Sequence, residues 1–134
     1  MPVIVGMSGE VTRTVTDNDT AIALESGTVE VLATPRIIAW CEAATMAAVG
    51  SGIREVDVCV GTRIQIEHVQ PSPVGQQVTA RATVTATDGR IITFEIEAVR
   101  HDSDGETLIA HGEVVRVILN REHFFERAQA SGKA

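Results

Sequence analysis

No apolar run in this sequence approaches the ~20 residues that a helix needs to cross a bilayer, which excludes a helical membrane protein. The first residues, Met1 to Met7, are apolar but carry no basic leader and are too short for a signal peptide, so a cytoplasmic protein is expected. There are only two cysteines, Cys41 and Cys59, and that excludes a disulfide framework and fits reduced thiols in a core. Cys41 sits in an apolar run with no adjacent basic residue to lower its pKa, which argues against a catalytic thiol. No P-loop, dinucleotide glycine fingerprint or Gly-x-Ser-x-Gly elbow occurs, and nucleotide hydrolases and α/β-hydrolases drop out. His101, His111 and His123 lack carboxylate or cysteine partners at metal-ligand spacing, so no metal is expected. Lysine occurs once, at Lys133; the other ten basic residues are Arg, the side chain that grips phosphate with a planar fork, although a compositional bias of the source genome gives the same count. The net charge of −7 disfavours nucleic acid and anionic membranes as partners.

What is present describes one globular domain spanning residues 1–134, with 44% apolar and 22% charged residues and a mean hydropathy of +0.13. One segment, residues 34–50, reads clearly as a helix. Thr34 suits the cap, Pro35 the first helical position and Gly50 the exit. Between them the run is apolar on nearly every side, which predicts a helix buried all round. Glu42 alone breaks it. A carboxylate in such a setting costs several kcal/mol unless it is paired, hydrogen-bonded or protonated, so it needs a partner from elsewhere in the chain or from a second subunit.

Strands are predicted on both sides of this helix. Glu10 to Thr16 alternates with β-branched residues and ends at Asp17-Asn18-Asp19, and a loop from Thr20 to Ala33 follows. After the helix, Val56 to Val60 and Thr62 to Val69 read as strand, with Gly61 marking a bulge or a close backbone approach and His68 near the end. Pro71 to Gly75 makes a turn. Gln77 to Thr87 alternates with Val78, Ala80, Ala82, Val84 and Ala86 on one face, and Asp88-Gly89 signals a hairpin into Arg90 to Arg100. A turn at Asp102 to Gly105 leads into Thr107 to Leu119, then a short surface helix over Arg121 to Ala130 and four residues expected to fray. This order predicts an α+β domain in which one antiparallel sheet wraps a single buried helix. Such a sheet leaves an edge strand to be covered, so a homodimer or a dimer of dimers is expected.

Ala33-Thr34 at the helix start, Trp40 to Ala44 with Glu42, Val60-Gly61-Thr62, and His68 seven residues before Gly75 together resemble the hotdog-fold acyl-CoA thioesterases, in particular the fluoroacetyl-CoA thioesterase type. The separations of eight residues from Thr34 to Glu42 and 26 from Glu42 to His68 match that pattern. The resemblance implies a hotdog fold, hydrolysis of a small or medium acyl-CoA, a catalytic constellation of Thr34, Glu42 and His68, contact of the Gly61 backbone with the acyl group, and substrate binding at Arg116. It implies no cofactor beyond the coenzyme A of the substrate. The chain departs from the type in three places. The loop from Thr20 to Ala33 has no aromatic residue, so specificity for fluoroacetate is not implied; Trp40 precedes Glu42 instead of following it; and the strand holding Arg116 carries insertions.

Chemically, Glu42 suits a general base or an anhydride-forming nucleophile, and His68 a proton shuttle or an activator of the Thr34 hydroxyl. N–H groups at the helix start can hold an oxyanion, Pro35 excepted. Each residue also has a structural reading: Thr34 as a cap, Glu42 as a buried acid bonded across a dimer, His68 as a strand end bonded to a carbonyl. In a straight helix Glu42 lies ~12 Å along the axis and ~80° around from Thr34, so a joint site requires Thr34 to fold back or His68 and substrate to bridge the gap. Two other functions share these residues: a non-catalytic acyl-CoA binding module, and a hotdog enoyl-CoA hydratase.

Overall fold

A computed structural model describes residues 2–132; Met1, Lys133 and Ala134, the last two within the stretch expected to fray, lie outside the described residues. The elements run β1 (Ser8–Thr14), α1 (Thr34–Val49), β2 (Asp57–His68), β3 (Gln77–Asp88), β4 (Ile91–Asp102), β5 (Gly105–Asn120) and α2 (Arg121–Gly132). The five strands form one sheet in the order β1-β3-β4-β5-β2, every pairing antiparallel, wrapped around α1. This is the hotdog architecture. Ser131 and Gly132, expected to fray, complete the last turn of α2.

Alternation builds the concave face. Val78, Ala80, Ala82 and Val84 of β3 and Ile92, Phe94, Ile96 and Ala98 of β4 all turn inward and are essentially inaccessible. Each large one contributes ~1.5–3 kcal/mol by burial. Ala86, expected on the same face, is exposed, because a bulge between Val84 and Ala86 resets the register. A two-residue turn, Gly89-Arg90, joins Asp88 to Ile91, and Gly89 takes the positive φ of +59° that the turn requires.

Helix and sheet meet where side chains are smallest. Gly9 of β1 lies so near the last turn of α1 that a Cβ there would stand 2.4 Å from the backbone nitrogen of Ala48. Ala44 and Ala48, the two buried alanines of α1, thus serve close packing.

Two expectations about α1 fail. Ala33, not Thr34, occupies the N-cap with extended backbone, no side chain caps the first turn, and Pro35 is the second helical residue. The Thr34 hydroxyl is engaged elsewhere, as described below. At the other end Gly50 is the C-cap, as expected, right-handed (φ −52°, ψ −37°), and runs into a tight 3-10 turn, Gly50–Gly52. Nor is the helix buried all round within one chain. Ile37, Trp40, Cys41, Ala44, Thr45, Ala48 and Val49 face the sheet, whereas Pro35, Ala39 and Ala47 are exposed and Ile38, Glu42, Ala43 and Met46 half-buried. These seven recur every three or four residues and form one stripe, because a single sheet covers only one side of a helix. Among the described residues no helix is long and apolar enough to cross a membrane.

Candidate active site

Thr34 and His68 come together through the loops on either side of them. Leu32 donates its N–H to the Ser72 carbonyl (2.8 Å), Val31 bridges to Pro73, and Ala33 donates to the Asp19 carbonyl (2.9 Å). Arg36, in the first turn of α1, pairs with Asp19 at 2.9 Å. The start of α1 is therefore stitched to the turn that follows β2. The Thr34 Oγ1 lies 2.8 Å from Nδ1 of His68, within hydrogen-bond distance. Nε2 of the same ring is buried with no hydrogen-bond partner among the described residues. Burial pushes the His68 pKa below its usual 6.5, against a smaller opposing effect of the Gln70 backbone. A neutral imidazole bonded to a hydroxyl is the arrangement that general-base activation needs. A cleft of about 230 Å³, lined by His68, Val69, Gln70 and Pro71, opens beside it. Roomier hollows near α2 and Asp57 touch none of the site residues.

A second group gathers around Glu42. Gly61 of β2 pairs with Arg116 of β5 beside the bulge between Gly61 and Arg63, the irregularity that the glycine signalled. The Glu42 Oε2 fills the space over Gly61, where a Cβ would stand 2.6 Å from it. Arg116 reaches the same oxygen with Nη1 at 3.4 Å; its side chain is 9% exposed and that of Glu42 35%. The remaining Arg116 donors point to Thr45 Oγ1 (3.5 Å), Cys59 Sγ (3.3 Å) and the Cys59 carbonyl (2.7 Å). The partner that a carboxylate in an apolar helix needs is thus a buried guanidinium of the same chain. Cys59 and Thr45 went unrecognised as neighbours of this group. Cys59 stands two residues before Gly61, hence on the same strand face, and Thr45 three after Glu42, hence on the same helix face; those spacings were the available signal.

One chain does not unite the two groups. Thr34 keeps its helical position instead of folding back, leaving Glu42 ~12 Å further along α1. Gly61 and His68 are separated by ~20 Å of β2. No hydrogen bond joins Glu42 to Thr34 or His68 among the described residues. Cys41, next to Glu42 in sequence, is inert: burial, helped by the Glu42 charge, pushes its thiol up to about 12. Among the described residues no group of three His, Cys, Asp or Glu side chains is placed to hold a metal.

Residues 15–122 match the sequence family described as FlK, fluoroacetyl-CoA-specific thioesterase. Among solved structures, one of the fluoroacetyl-CoA thioesterase FlK, a variant in complex with acetyl-CoA, superposes with a TM-score of 0.85 at 23% identity, covering 96% of this chain and 98% of that one. A Thermus thermophilus hypothetical protein, described as a thioesterase superfamily member, gives 0.85 at 22% identity over 98% and 97%. A hot-dog-like protein from Thermanaerovibrio acidaminovorans gives 0.82 at 20% identity over 95% and 91%. No curated protein matches the sequence.

Proposed function

This chain belongs to the FlK thioesterase family and is a thioester hydrolase, and we propose that it cleaves small or medium acyl-CoA thioesters at a site built from Thr34 and His68 of one subunit and Glu42 of a second. The single observation that carries the reading is the 2.8 Å approach of the Thr34 hydroxyl to His68 Nδ1 at the start of α1. In this reading Thr34 donates its proton to the neutral imidazole, and the coupled pair moves a proton between the attacking oxygen and the departing thiolate. Arg116 holds Oε2 of Glu42, and Oε1 makes no hydrogen bond among the described residues. Oε1 is then the oxygen that activates water or attacks the carbonyl carbon. The Thr34 N–H supplies the oxyanion site, since Pro35 has no N–H and the Arg36 and Ile37 N–H groups both donate to the Ala33 carbonyl.

In this reading a second subunit brings the two groups together. β2 is an edge strand of the sheet, and the face of α1 turned away from the sheet, with Ile38, Ala39, Ala43 and Met46, stays partly exposed. A two-fold axis near Ile64 and Gln65 continues the sheet antiparallel across β2 and sets Gly61 of one copy opposite His68 of the other. Each Glu42 is thereby carried toward the other copy's Thr34–His68 pair. Specificity for fluoroacetyl is not implied, since residues 20–33 contain no aromatic side chain.

Thiol release from a panel of short, medium and aryl acyl-CoAs tests this. Glu42→Gln and His68→Ala each lower turnover by about a hundredfold or more, with oligomer size unchanged. Full hydrolysis of every substrate by both variants would exclude the mechanism.

A further inference from the structure

We infer that Cys59 is a positioning residue for the thioesterase reaction: its thiol holds the Arg116 guanidinium in the orientation that fixes the Glu42 carboxylate over Gly61. This rests on the role proposed above for Glu42. Arg116 has five N–H donors in a rigid fork, and the residue is 7% exposed, so water satisfies little of it. Nε–H meets Cys59 Sγ at 3.3 Å, and an Nη2–H meets the Cys59 carbonyl at 2.7 Å. One residue therefore grips two sides of the fork. The third side, Nη1, is thereby aimed between Glu42 Oε2 (3.4 Å) and Thr45 Oγ1 (3.5 Å).

The backbone arrangement makes this a cross-strand device. Cys59 and Gly61 project from the same face of β2, opposite Ile118 and Arg116 of β5. At Gly61 the missing side chain admits Glu42; at Cys59 the side chain present supplies the acceptor. Loss of the sulfur leaves a buried Nε–H without a partner, and a fork so placed turns toward another acceptor, taking Nη1 away from Glu42. The carbonyl of Cys59 persists in any variant, so the loss is partial. Thr45 donates its own hydroxyl to the Glu42 carbonyl at 2.6 Å and is thereby kept as an acceptor for Arg116 from the helix side.

The test is a double-mutant cycle on thiol release, using the acyl-CoA that the wild type turns over fastest. Cys59→Ala lowers kcat about tenfold with KM unchanged, and Cys59→Ser, which restores an acceptor, stays within about threefold of wild type. Cys59→Val fills the space of the thiol without an acceptor and behaves as Cys59→Ala. In a Glu42→Gln background Cys59→Ala causes no further loss, because the group it positions is already disabled. Equal losses in the two backgrounds, or a Cys59→Val enzyme with the wild-type kcat, would overturn the inference while leaving Glu42 in place. A fully active Glu42→Gln enzyme would instead remove the role of Glu42 and this inference with it.

Discussion

At the Thr34 hydroxyl two roles compete for one group, and the fold decides between them. A threonine at a helix start followed by proline is ordinarily read as the cap, yet here the backbone shifts by one residue so that Ala33 caps and Thr34 faces His68. Local sequence rules cannot see this, because His68 arrives from a strand 34 residues away. The family resemblance, by contrast, singled out Thr34, Glu42 and His68 together. A test specific to His68 is available in its titration. Its folded pKa lies below the ordinary 6.5, so the unfolded chain binds the proton first as pH falls. Stability is therefore full above about pH 6.5 and declines from there down to the lower folded value. Urea midpoints measured from pH 7.5 to 5 fall for the wild type, and His68→Gln lacks that part of the decline; identical pH profiles for the two would contradict a buried neutral imidazole.

Among the elements, strands and helix were legible wherever a period is uninterrupted. β3 and β4 follow the alternation of their apolar residues as far as Val84 and Ala98, and α1 keeps its expected span almost to the residue. What periodicity misses are the bulges, as at Ala86, since one extra residue reverses the faces without altering composition. The Arg116–Glu42 pair was missed for a related reason: it depends on the register that sets Gly61 beside Arg116 across two strands 55 positions apart in sequence. Gly9 belongs to this scale too. Nothing around it in the sequence marks it as a contact point, but β1 and α1 touch backbone to backbone there. Gly9→Ala pushes the strand from the helix and destabilises the domain by ~1–3 kcal/mol, read as a lower urea midpoint at unchanged slope. An unchanged midpoint would show that the gap between β1 and α1 is wider than described.

For the whole molecule, a single chain presents a half-finished surface. The proposed two-fold axis would account together for an unpaired edge strand, a face of α1 that the sheet leaves bare and two candidate site groups held ~20 Å apart along β2. The expectation of a helix buried all round fails for one chain, because a single sheet covers one side of α1; in the proposed dimer the second copy covers the rest. Mixing Glu42→Gln with His68→Ala tests this account most directly, using variants that are each inactive alone. After unfolding and refolding together, a mixed dimer holds one site in which an intact Glu42 meets an intact His68. The account predicts recovery of about a quarter of the wild-type rate in an equal mixture, since half of the dimers are mixed and each carries one working site. A refolded mixture that forms mixed dimers yet stays as inactive as its parents would contradict it, and would place Glu42 and His68 of each site in the same chain.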